Sequence, residues 1–598
     1  MHVVATAGHV DSGKSTLVRA LTGMEPDRWE EERRRGLTID LGYAWTTLPS
    51  GQDVAFVDVP GHERFLGNML AGIGPAPVVC FVVAADEGWQ AQSSDHRDAV
   101  AALGIEHGVV VLSRADRASG QRIADVLARS RTELAGTGLG DAPAVAVSAV
   151  DGTGLGDLRA TLDAVLAAVP APATTGRVRL WVDRSFTITG SGTVVTGTLA
   201  AGTLAQGDRL QLLGHTGSRH VVVRGLQSRD TSYVSVEPVS RVALNLRDVA
   251  ATDIRRGDAL VTPDAWPTTG VVGIQRTAGV AYTEVPEQLM VHVGTASVPA
   301  RLRPFGADHA RLVLDRHLPL VLGDRLVLRD PGSRSVLGGA RVLDADPPAL
   351  RRRGDGAHWA GRLADMDPAG DVLGEVATRG AVKADHLHRL GLLSVHAADA
   401  PPGVRVLRDW WVHAPVLEAW QHRLRAAVQA LQERDPLAPG LSMGAARDLL
   451  SLPDEKLLSH VIDRAELEQE GGHIRLRGSQ GDLGPIEPAI AELERRLGAH
   501  PFQAPEADGL SALGLGAREL AAAERAGRVL RLRDGVVLLP TAPALAMRTL
   551  ARLDQPFTTS QARQALDTTR RIAVPLLEHL DSRGWTQRLD AGHRNVVR

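Results

Sequence analysis

The segment Gly8-His-Val-Asp-Ser-Gly-Lys-Ser15 restricts the fold of this 598-residue chain more than any other feature. It fits the pattern Gly-x4-Gly-Lys-Ser, follows the apolar start of the chain and leads into the helical run Thr16–Leu21. Glycines at these positions let backbone amides face a phosphate at a helix N-terminus, where the helix dipole also favours anions. The pattern therefore predicts a strand, a phosphate loop and a helix, with Lys14 reaching the β- and γ-phosphates and the Ser15 hydroxyl binding Mg²⁺.

Four further polar segments follow the phosphate loop along the chain. Asp58-Val-Pro-Gly61 ends an apolar strand, so that Asp58 can hold the Mg²⁺ shell and the Gly61 amide can sense the γ-phosphate. Thr38, in the polar loop Arg35–Ile39, can offer Mg²⁺ a second hydroxyl. Ser113-Arg-Ala-Asp116 follows a strand and can bind guanine through the Asp116 carboxylate, while Ser148-Ala-Val150 can read guanine O6 through backbone amides.

We therefore predict GTP with Mg²⁺ as the ligand of the first domain. The predicted GTP-binding residues are Gly8, Asp11, Ser12, Gly13, Lys14, Ser15, Thr16, Gly61, Ser113, Arg114, Asp116, Ser148, Ala149 and Val150, and the predicted Mg²⁺ ligands are Ser15, Thr38 and Asp58. His62 directly follows the γ-phosphate sensor and is the predicted catalytic residue. A neutral imidazole there can orient the attacking water, while Lys14 and Mg²⁺ stabilise the developing charge.

The length and the residue pattern predict several domains, because 598 residues exceed what one hydrophobic core supports. Residues 1–173 alternate short apolar runs with helical patterns, which is typical of an α/β domain with a buried parallel sheet. Residues 174–262 and 263–346 are Val-, Leu- and Thr-rich runs broken by Gly-Asp turns, and they predict two β-barrels.

Residues 347–598 consist of helical runs, each followed by a glycine and a short basic strand pair. This repeat predicts four tandem winged-helix (α+β) modules, and an unrelated helical domain with incidental hairpins is the alternative. The repeated glycines are Gly403, Gly472, Gly535 and Gly592, and the predicted modules span 347–415, 416–480, 481–540 and 541–598.

Composition excludes several other classes of protein. The single cysteine, Cys80, rules out a disulfide framework and a cysteine zinc site, which suits a reducing cytosol. The sequence contains neither a signal-peptide pattern nor an apolar run of about 18 residues, so we expect a cytoplasmic monomer without a membrane span. Because the formal net charge is −3, binding of nucleic acid would need a local basic patch.

The motifs resemble those of a known family. Gly8-His-Val-Asp11, Arg35–Ile39 and Asp58-Val-Pro-Gly-His-Glu63 resemble translational GTPases of the elongation factor Tu group. The domain order and the strings at 183–197 and 292–300 are more similar to the bacterial selenocysteine-specific elongation factors. The resemblance implies GTP-dependent delivery of selenocysteinyl-tRNA to the ribosome at UGA codons specified by an mRNA hairpin. One departure is Ser113-Arg114, where the family has Thr-Lys or Asn-Lys, and the shorter serine predicts a weaker contact with the base.

The resemblance also implies a pocket for the selenocysteinyl group. A selenol is more acidic than a thiol of pKa about 8.5, so it presents an anion that fixed cations can recognise. The matching positions are Arg184, beside Asp183, and Arg241, with Tyr43 lining the pocket from the first domain. The alternative is that Asp183 and Arg184 brace the barrel and that Arg241 is a surface residue.

The last module is the predicted reader of the mRNA hairpin. Residues 541–598 contain nine arginines and five acidic residues, a formal charge of 9 − 5 = +4. Arg570 and Arg571 begin the second helix of a predicted helix-turn-helix, and Arg588 and Arg594 flank the wing. A helix N-terminus with guanidinium groups suits phosphates and an exposed base of an RNA loop, although a solvated basic face is the alternative.

Two other functions stay open on the sequence. The first is a general translational GTPase, such as the elongator for ordinary aminoacyl-tRNAs or an initiation-factor subunit. A general elongator would require neither the helical extension 347–598 nor the pair Arg184 and Arg241. A GTP-switched regulator with winged helices that bind DNA would not require two β-barrels of the tRNA-binding type.

Overall fold

The computed structural model describes residues 2–26, 38–190, 192–350, 353–393, 399–478 and 483–597. Part of the predicted loop Arg35–Ile39, namely residues 35–37, lies outside these ranges. Contacts divide the chain into two compact units, one of Met1–Thr378 with Val382–Pro401 and the other of Arg379–Ala381 with Pro402–Arg598. No helix within the described ranges has the length and apolar character that crossing a membrane requires.

The first domain is a six-stranded sheet with helices on its faces. Its strands are β1 (His2–Ala7), β2 (Gly42–Thr47), β3 (Asp53–Asp58), β4 (Val78–Ala84), β5 (His107–Ser113) and β6 (Ala144–Ala146), in the order β2-β3-β1-β4-β5-β6. Its helices are α1 (Lys14–Thr22), α2 (Leu66–Ile73), α3 (Ala91–Leu103), α4 (Gly120–Leu134) and α5 (Leu155–Ala168). All neighbouring strands are parallel except β2 and β3. The fully buried β4 explains why the sequence shows continuous apolar runs and no alternation.

Two β-barrels follow, as the sequence predicts. The first contains β7 (Arg179–Ile188), β8 (Gly192–Leu199), β9 (Leu204–Ala205), β10 (Arg209–Gly214), β11 (Gly217–Ser228), β12 (Thr231–Tyr233), β13 (Ser235–Val236), β14 (Ser240–Arg247) and β15 (Ala259–Val261). Six of these strands run in the order β10-β15-β7-β8-β14-β11 and close through the pairing of β10 with β11. The second is a closed barrel of β16 (Thr269–Gly279), β17 (Gln288–Val293), β18 (Ala296–Pro304), β19 (His309–Leu318), β20 (Arg325–Arg329) and β21 (Val336–Asp344). Burial alternates strictly along most of β18, because one face of the strand fills the barrel core.

The remaining chain consists of helices and short hairpins. The helices are α6 (Asp355–Asp365), α7 (Val372–Arg379), α8 (Ala384–Leu390), α9 (Ala414–Arg434), α10 (Met443–Leu450), α11 (Leu457–Arg464), α12 (Glu487–Ala499), α13 (Ala507–Ala512), α14 (Ala517–Arg525), α15 (Ala542–Leu550), α16 (Thr559–Ala565) and α17 (Arg570–Ser582). The strands are β22 (Ala381–Lys383), β23 (Val404–Leu407), β24 (Trp410–His413), β25 (Leu441–Ser442), β26 (Leu467–Glu470), β27 (His473–Leu476), β28 (Leu530–Arg531), β29 (Val537–Leu538), β30 (Phe557–Thr558), β31 (Thr586–Arg588) and β32 (His593–Val596).

Hairpins lie at the positions where the repeat predicts wings. β23 pairs with β24, β26 with β27, β28 with β29, and β31 with β32. Each repeated glycine precedes or lies within one of these hairpins. The last two modules share one hydrophobic core that includes Leu497, Val536, Leu550 and Leu577. They are therefore packed as one body within the second unit.

Candidate functional site

The loop from Gly8 to Ser15 is wrapped around the side chain of Lys14. Gly8 has φ +135°, and a Cβ there would lie 2.1 Å from the Val82 carbonyl oxygen, so only glycine fits. Lys14 Nζ donates hydrogen bonds to the carbonyl oxygens of Gly8 (3.0 Å) and His9 (2.7 Å), and the residue is only 6% exposed. The ammonium group is therefore fixed inside the loop at the start of α1, as a phosphate loop requires.

The three predicted Mg²⁺ ligands lie together. Ser15 Oγ is 2.6 Å from Asp58 Oδ2 and 3.0 Å from Thr38 Oγ1. Thr6, which the sequence analysis did not single out, donates to Asp58 Oδ1 at 2.7 Å and so orients the carboxylate. The described residues contain no cluster of three or more His, Cys, Asp or Glu side chains suited to a metal. The oxygen set at Ser15 is nevertheless the kind that Mg²⁺ prefers, because Mg²⁺ takes few protein ligands beside phosphate and water.

Gly61 lies directly against the phosphate loop, whereas the side chain of His62 is turned elsewhere. A Cβ on Gly61 would lie 2.5 Å from both Lys14 Nζ and the Val10 amide nitrogen. His62 Nδ1 accepts a hydrogen bond from the Arg64 amide (3.2 Å) and begins a short helical turn. The His62 ring is not part of the lining of the nucleotide cleft, although it neighbours the γ-phosphate sensor in the chain.

The cleft next to the phosphate loop has a volume of about 630 Å³. Most of the predicted GTP-binding residues line it, namely Asp11, Gly13, Lys14, Ser15, Thr16, Gly61, Ser113, Arg114, Asp116, Ala149 and Val150, and Thr38 lines it as well. The predicted residues Gly8, Ser12 and Ser148 lie outside this lining. Ser148 Oγ accepts from the Val150 amide (3.3 Å) and thereby shapes the guanine-reading loop.

Ser113 and Arg114 connect the guanine side of the cleft to the phosphate loop. Ser113 Oγ donates to the Ser12 carbonyl at 2.5 Å. Arg114 donates to the Asp11 carbonyl and forms an ion pair with Glu87 at 2.7 Å. Although the Ser113 side chain is short, its hydroxyl links the guanine-binding segment to the phosphate loop.

Helix α3 supports the phosphate loop through two side chains that the sequence analysis missed. His96 Nδ1 accepts from the Gly8 amide (3.0 Å), and Gln92 Oε1 accepts from the Val10 amide (3.2 Å). Burial, assisted by the charge of Lys14, lowers the pKa of His96 to about 3, so the ring is neutral and able to accept. Gln92 and His96 are four residues apart on one helix face, but that spacing does not reveal what the face contacts.

A second pocket lies where β2 of the first domain meets the first barrel. The guanidinium groups of Arg241 and Arg184 lie 3.9 Å and 5.0 Å from the centre of the Tyr43 ring. Asp183 forms a two-pronged ion pair with Arg241, with Nη2 to Oδ1 at 2.8 Å, and accepts from Thr196 Oγ1 at 2.5 Å. Asp183 therefore holds Arg241 in place, and the Arg241 side chain is partly buried, with 14% of it exposed.

The adjoining cavity has a volume of about 250 Å³. It is lined by Tyr43, Arg184 and Arg241, by apolar residues such as Phe186, and by polar residues that include Arg229 and Asp230. Among the described residues, the buried atoms Tyr43 Oη and Arg184 Nε have no hydrogen-bond partner. Burial raises the pKa of Tyr43, so its hydroxyl keeps its proton and can donate. Two unsatisfied donors beside two cations suit an anionic or strongly accepting ligand.

The structure divides the four predicted mRNA-binding arginines into two groups. Arg570, at the start of α17, and Arg588, in β31, are exposed. Arg571 instead donates to the Ala504 carbonyl (2.9 Å), and Arg594 is 6% exposed and forms an ion pair with Asp581 at 2.9 Å. Arg571 thus contacts the chain before the last predicted module, and Arg594 stabilises the last module from within.

Comparisons with known proteins identify the class of the first domain. Residues 1–170 match the elongation factor Tu GTP binding domain. Elongation factor Tu 2 of Streptomyces avermitilis is 33% identical over 283 residues, which cover 44% of this chain and 72% of that protein. A cleft built for GTP, followed by two barrels, defines a translational GTPase of the elongation factor Tu class.

Matches to the rest of the chain identify a particular family within this class. Residues 283–349 match the β-barrel domain of selenocysteine-specific elongation factors, and residues 548–594 match the winged helix of elongation factor SelB. The selenocysteine-specific elongation factor of Escherichia coli is 31% identical over 621 residues, covering 99% of this chain and 98% of that protein. The crystal structure of a bacterial selenocysteine-specific elongation factor matches with a TM-score of 0.75 at 25% identity, covering 100% of both chains. The chain belongs to the selenocysteine-specific elongation factors.

Proposed function

We propose that this protein delivers selenocysteinyl-tRNA to the ribosome, in the cytoplasm, at UGA codons specified by an mRNA hairpin. GTP hydrolysis then releases the tRNA. The observation that supports the choice of cargo is the pocket of Tyr43, Arg184 and Arg241, where two guanidinium groups flank one buried ring. A selenocysteinyl side chain would enter this pocket as an anion.

The pocket can separate selenocysteine from its seryl precursor by charge. Asp183 already balances Arg241, so Arg184 and Tyr43 supply the donors that have no partner among the described residues. A hydrogen bond to a charged acceptor contributes about 1.5–3 kcal/mol, against about 0.5–1.5 kcal/mol for a neutral pair. A neutral serine hydroxyl would lose this difference, because it offers Arg184 and Tyr43 a neutral acceptor in place of an anion.

The test of this pocket is the ratio of affinities for selenocysteinyl- and seryl-tRNA. Arg184→Ala is expected to reduce selenocysteinyl-tRNA affinity at least tenfold and to change seryl-tRNA affinity little. The matched control is Arg247→Ala, which removes an exposed arginine from β14 and should affect both tRNAs equally. An Arg184→Ala protein with the wild-type ratio would refute the pocket.

The hydrolytic centre consists of Lys14, the Gly61 amide and His62, with Ser15, Thr38 and Asp58 as the residues that would hold Mg²⁺. Bound Mg²⁺ would neutralise charge on the β- and γ-phosphates. His62 follows Gly61, and its ring must leave the Arg64 amide in order to orient water. We expect His62→Ala to keep GTP and GDP affinity and to lose ribosome-stimulated hydrolysis; stimulated turnover at the wild-type rate would exclude His62 from the mechanism.

For the mRNA hairpin we propose Arg570 and Arg588 as the contacts, since both are exposed in the last module. Arg570→Ala should weaken hairpin binding and reduce the salt dependence of its affinity by about 0.7 per lost phosphate contact. Arg548→Ala, an exposed arginine on α15 of the same module, is the matched control. Equal effects of the two substitutions would indicate a solvated basic face, and tighter binding of duplex DNA than of the hairpin would favour a DNA-binding regulator.

A further inference from the structure

A group of polar side chains connects the segment after Thr38 to the cargo pocket. We call Asp40, Asn68 and Arg256 the junction. Asn68 of α2 donates to the Ile39 carbonyl at 2.9 Å, and Arg256 Nη1 donates to Asn68 Oδ1 at 2.7 Å. Arg256 Nη2 donates to Asp40 Oδ1 at 2.5 Å. Residues 39 and 40 are therefore held at once by α2 and by the first barrel.

The same junction reaches two residues of the pocket. Arg256 Nε donates to the Asp183 carbonyl at 3.0 Å. Arg184 Nη2 lies 3.4 Å from Asp40 Oδ2 and also donates to the Leu41 carbonyl. The Nη2 group of Arg184 is thus bound by the segment that follows Thr38, while its Nε is the atom without a partner among the described residues.

Opposite charges in the junction favour the contacts of Asp40 with Arg184 and Arg256. The two carboxylate oxygens of Asp40 face two guanidinium groups, since Oδ1 accepts from Arg256 Nη2 at 2.5 Å and Oδ2 lies 3.4 Å from Arg184 Nη2. A charged acceptor fixes a guanidinium more firmly than a neutral one, so Asp40 sets the direction in which Arg184 points.

The position of Asp40 depends on Thr38. Two residues of chain span at most about 7 Å, so a displacement of Thr38 is readily transmitted to Asp40. In the structure Thr38 Oγ1 is 3.0 Å from Ser15 Oγ, so both hydroxyls can face one cation. In the same structure the hydrogen bond between Arg256 and Asp40 is formed. Loss of the γ-phosphate and of the Thr38 contact would remove one of the constraints on Asp40.

We propose that Asp40 and Arg256 are positioning residues that make the binding of the selenocysteinyl cargo depend on the bound nucleotide. With GTP they hold Arg184 in the orientation that receives the cargo anion; with GDP that orientation is no longer fixed. The inference rests on the proposed function, because it assigns a regulatory role to contacts around the same pocket. Coupling of this kind is reciprocal, so cargo must strengthen GTP binding by the factor by which GTP strengthens cargo binding.

The experiment measures selenocysteinyl-tRNA affinity of the full chain with a non-hydrolysable GTP analogue and with GDP. For Asp40→Asn and for Arg256→Gln we expect the ratio of the two affinities to fall at least tenfold, through weaker binding in the GTP-analogue state. Affinity for the analogue without tRNA should stay within about threefold of wild type, and tRNA should strengthen analogue binding less than it does in wild type. Arg255→Ala, which removes an adjacent exposed arginine, is the matched control and should keep the wild-type ratio.

Two further variants separate regulation from simple structural support. The double variant Asp40→Asn with Arg256→Gln should lose no more of the ratio than either single variant, because both act through one contact. Asp40→Glu keeps the carboxylate and should retain most of the ratio. A wild-type ratio in Asp40→Asn and Arg256→Gln would overturn the proposal, as would an equal loss of cargo affinity in both nucleotide states.

A parallel measurement with seryl-tRNA distinguishes this proposal from the proposed function. If wild type binds both tRNAs equally well, the pocket assignment fails and the junction proposal fails with it. If wild type prefers selenocysteinyl-tRNA but junction variants keep the nucleotide dependence, only the junction proposal fails.

Discussion

Replacing Gly61 by alanine tests how closely the γ-phosphate sensor must approach the phosphate loop. A Cβ at this position would lie 2.5 Å from the Val10 amide nitrogen, which is 0.9 Å less than the 3.4 Å at which ordinary contact begins. It would lie equally close to Lys14 Nζ. The lysine end can move, but the Val10 backbone is held by Gln92 of α3, so the Gly61 segment must retreat. A misplacement of about 1 Å near a reacting group lowers a rate by about 10²-fold.

The assay is ribosome-stimulated GTP hydrolysis, together with separate affinities for GTP and GDP. We expect Gly61→Ala to reduce hydrolysis about 10²-fold. GDP affinity should stay within a few-fold of wild type, because GDP lacks the γ-phosphate that the Gly61 amide would contact. Gly156→Ala is the matched control, since a Cβ on Gly156 of α5 has no atom within 4 Å.

Two results would refute this reasoning. Hydrolysis by Gly61→Ala within a few-fold of wild type would show that the segment accommodates the methyl group without leaving the γ-phosphate. An equal loss of GDP and GTP affinity would show that the substitution disturbs the phosphate loop as a whole.

Three other substitutions give separate predictions. Ser113→Ala removes the hydrogen bond to the Ser12 carbonyl, and nucleotide titration should show GTP and GDP affinities falling together by about 3- to 10-fold, or about 0.5–1.5 kcal/mol. Arg594→Ala leaves Asp581 without its buried partner, and thermal unfolding should show a loss of about 3 kcal/mol, against little change for an exposed arginine. Because the pKa of His96 is lowered to about 3, its imidazole stays neutral in the folded protein down to about pH 3. In the unfolded chain the same imidazole takes up a proton below its ordinary pKa of 6.5. Between these limits the unfolding free energy of the first domain should fall on acidification by up to about 1.36 kcal/mol per pH unit from this group, and less steeply in His96→Gln; equal slopes would contradict the assignment.

The sequence predicts the phosphate loop well because its geometry is local. Positive φ values at Gly8 and Gly13, and the order of strand, loop and helix, follow from residues within one short segment. The two barrels are predicted for a similar reason, since Gly-Asp turns between short Val-, Leu- and Thr-rich runs are also local features. The contact of His96 with the Gly8 amide joins positions that are 88 residues apart, and no local pattern indicates it.

The role of an individual arginine is much harder to predict from sequence. Arg570 and Arg571 are neighbours at the start of one helix, but Arg571 contacts carbonyl groups near residue 504 and Arg570 is exposed. Arg594, in β32, forms an ion pair with Asp581 of α17, so its burial depends on how the hairpin packs against that helix. The sequence does not distinguish an exposed arginine from an arginine in a buried ion pair, because the difference depends on how the folded chain packs around the guanidinium group.

The chain segment between the nucleotide cleft and the cargo pocket is short and anchored at both ends. At one end, Thr38 lies beside Ser15. At the other, β2 begins with Gly42 opposite Asp58 and places Tyr43 opposite Val57, so the aromatic member of the pocket belongs to the same sheet as a predicted Mg²⁺ ligand. While this pairing persists, Tyr43 keeps its place in the sheet, and a change that passes from Thr38 to the pocket must pass through residues 38–41. Those are the residues that Asn68, Arg256 and Arg184 hold, so a nucleotide-dependent pocket would change through its arginines while its aromatic ring stays in place.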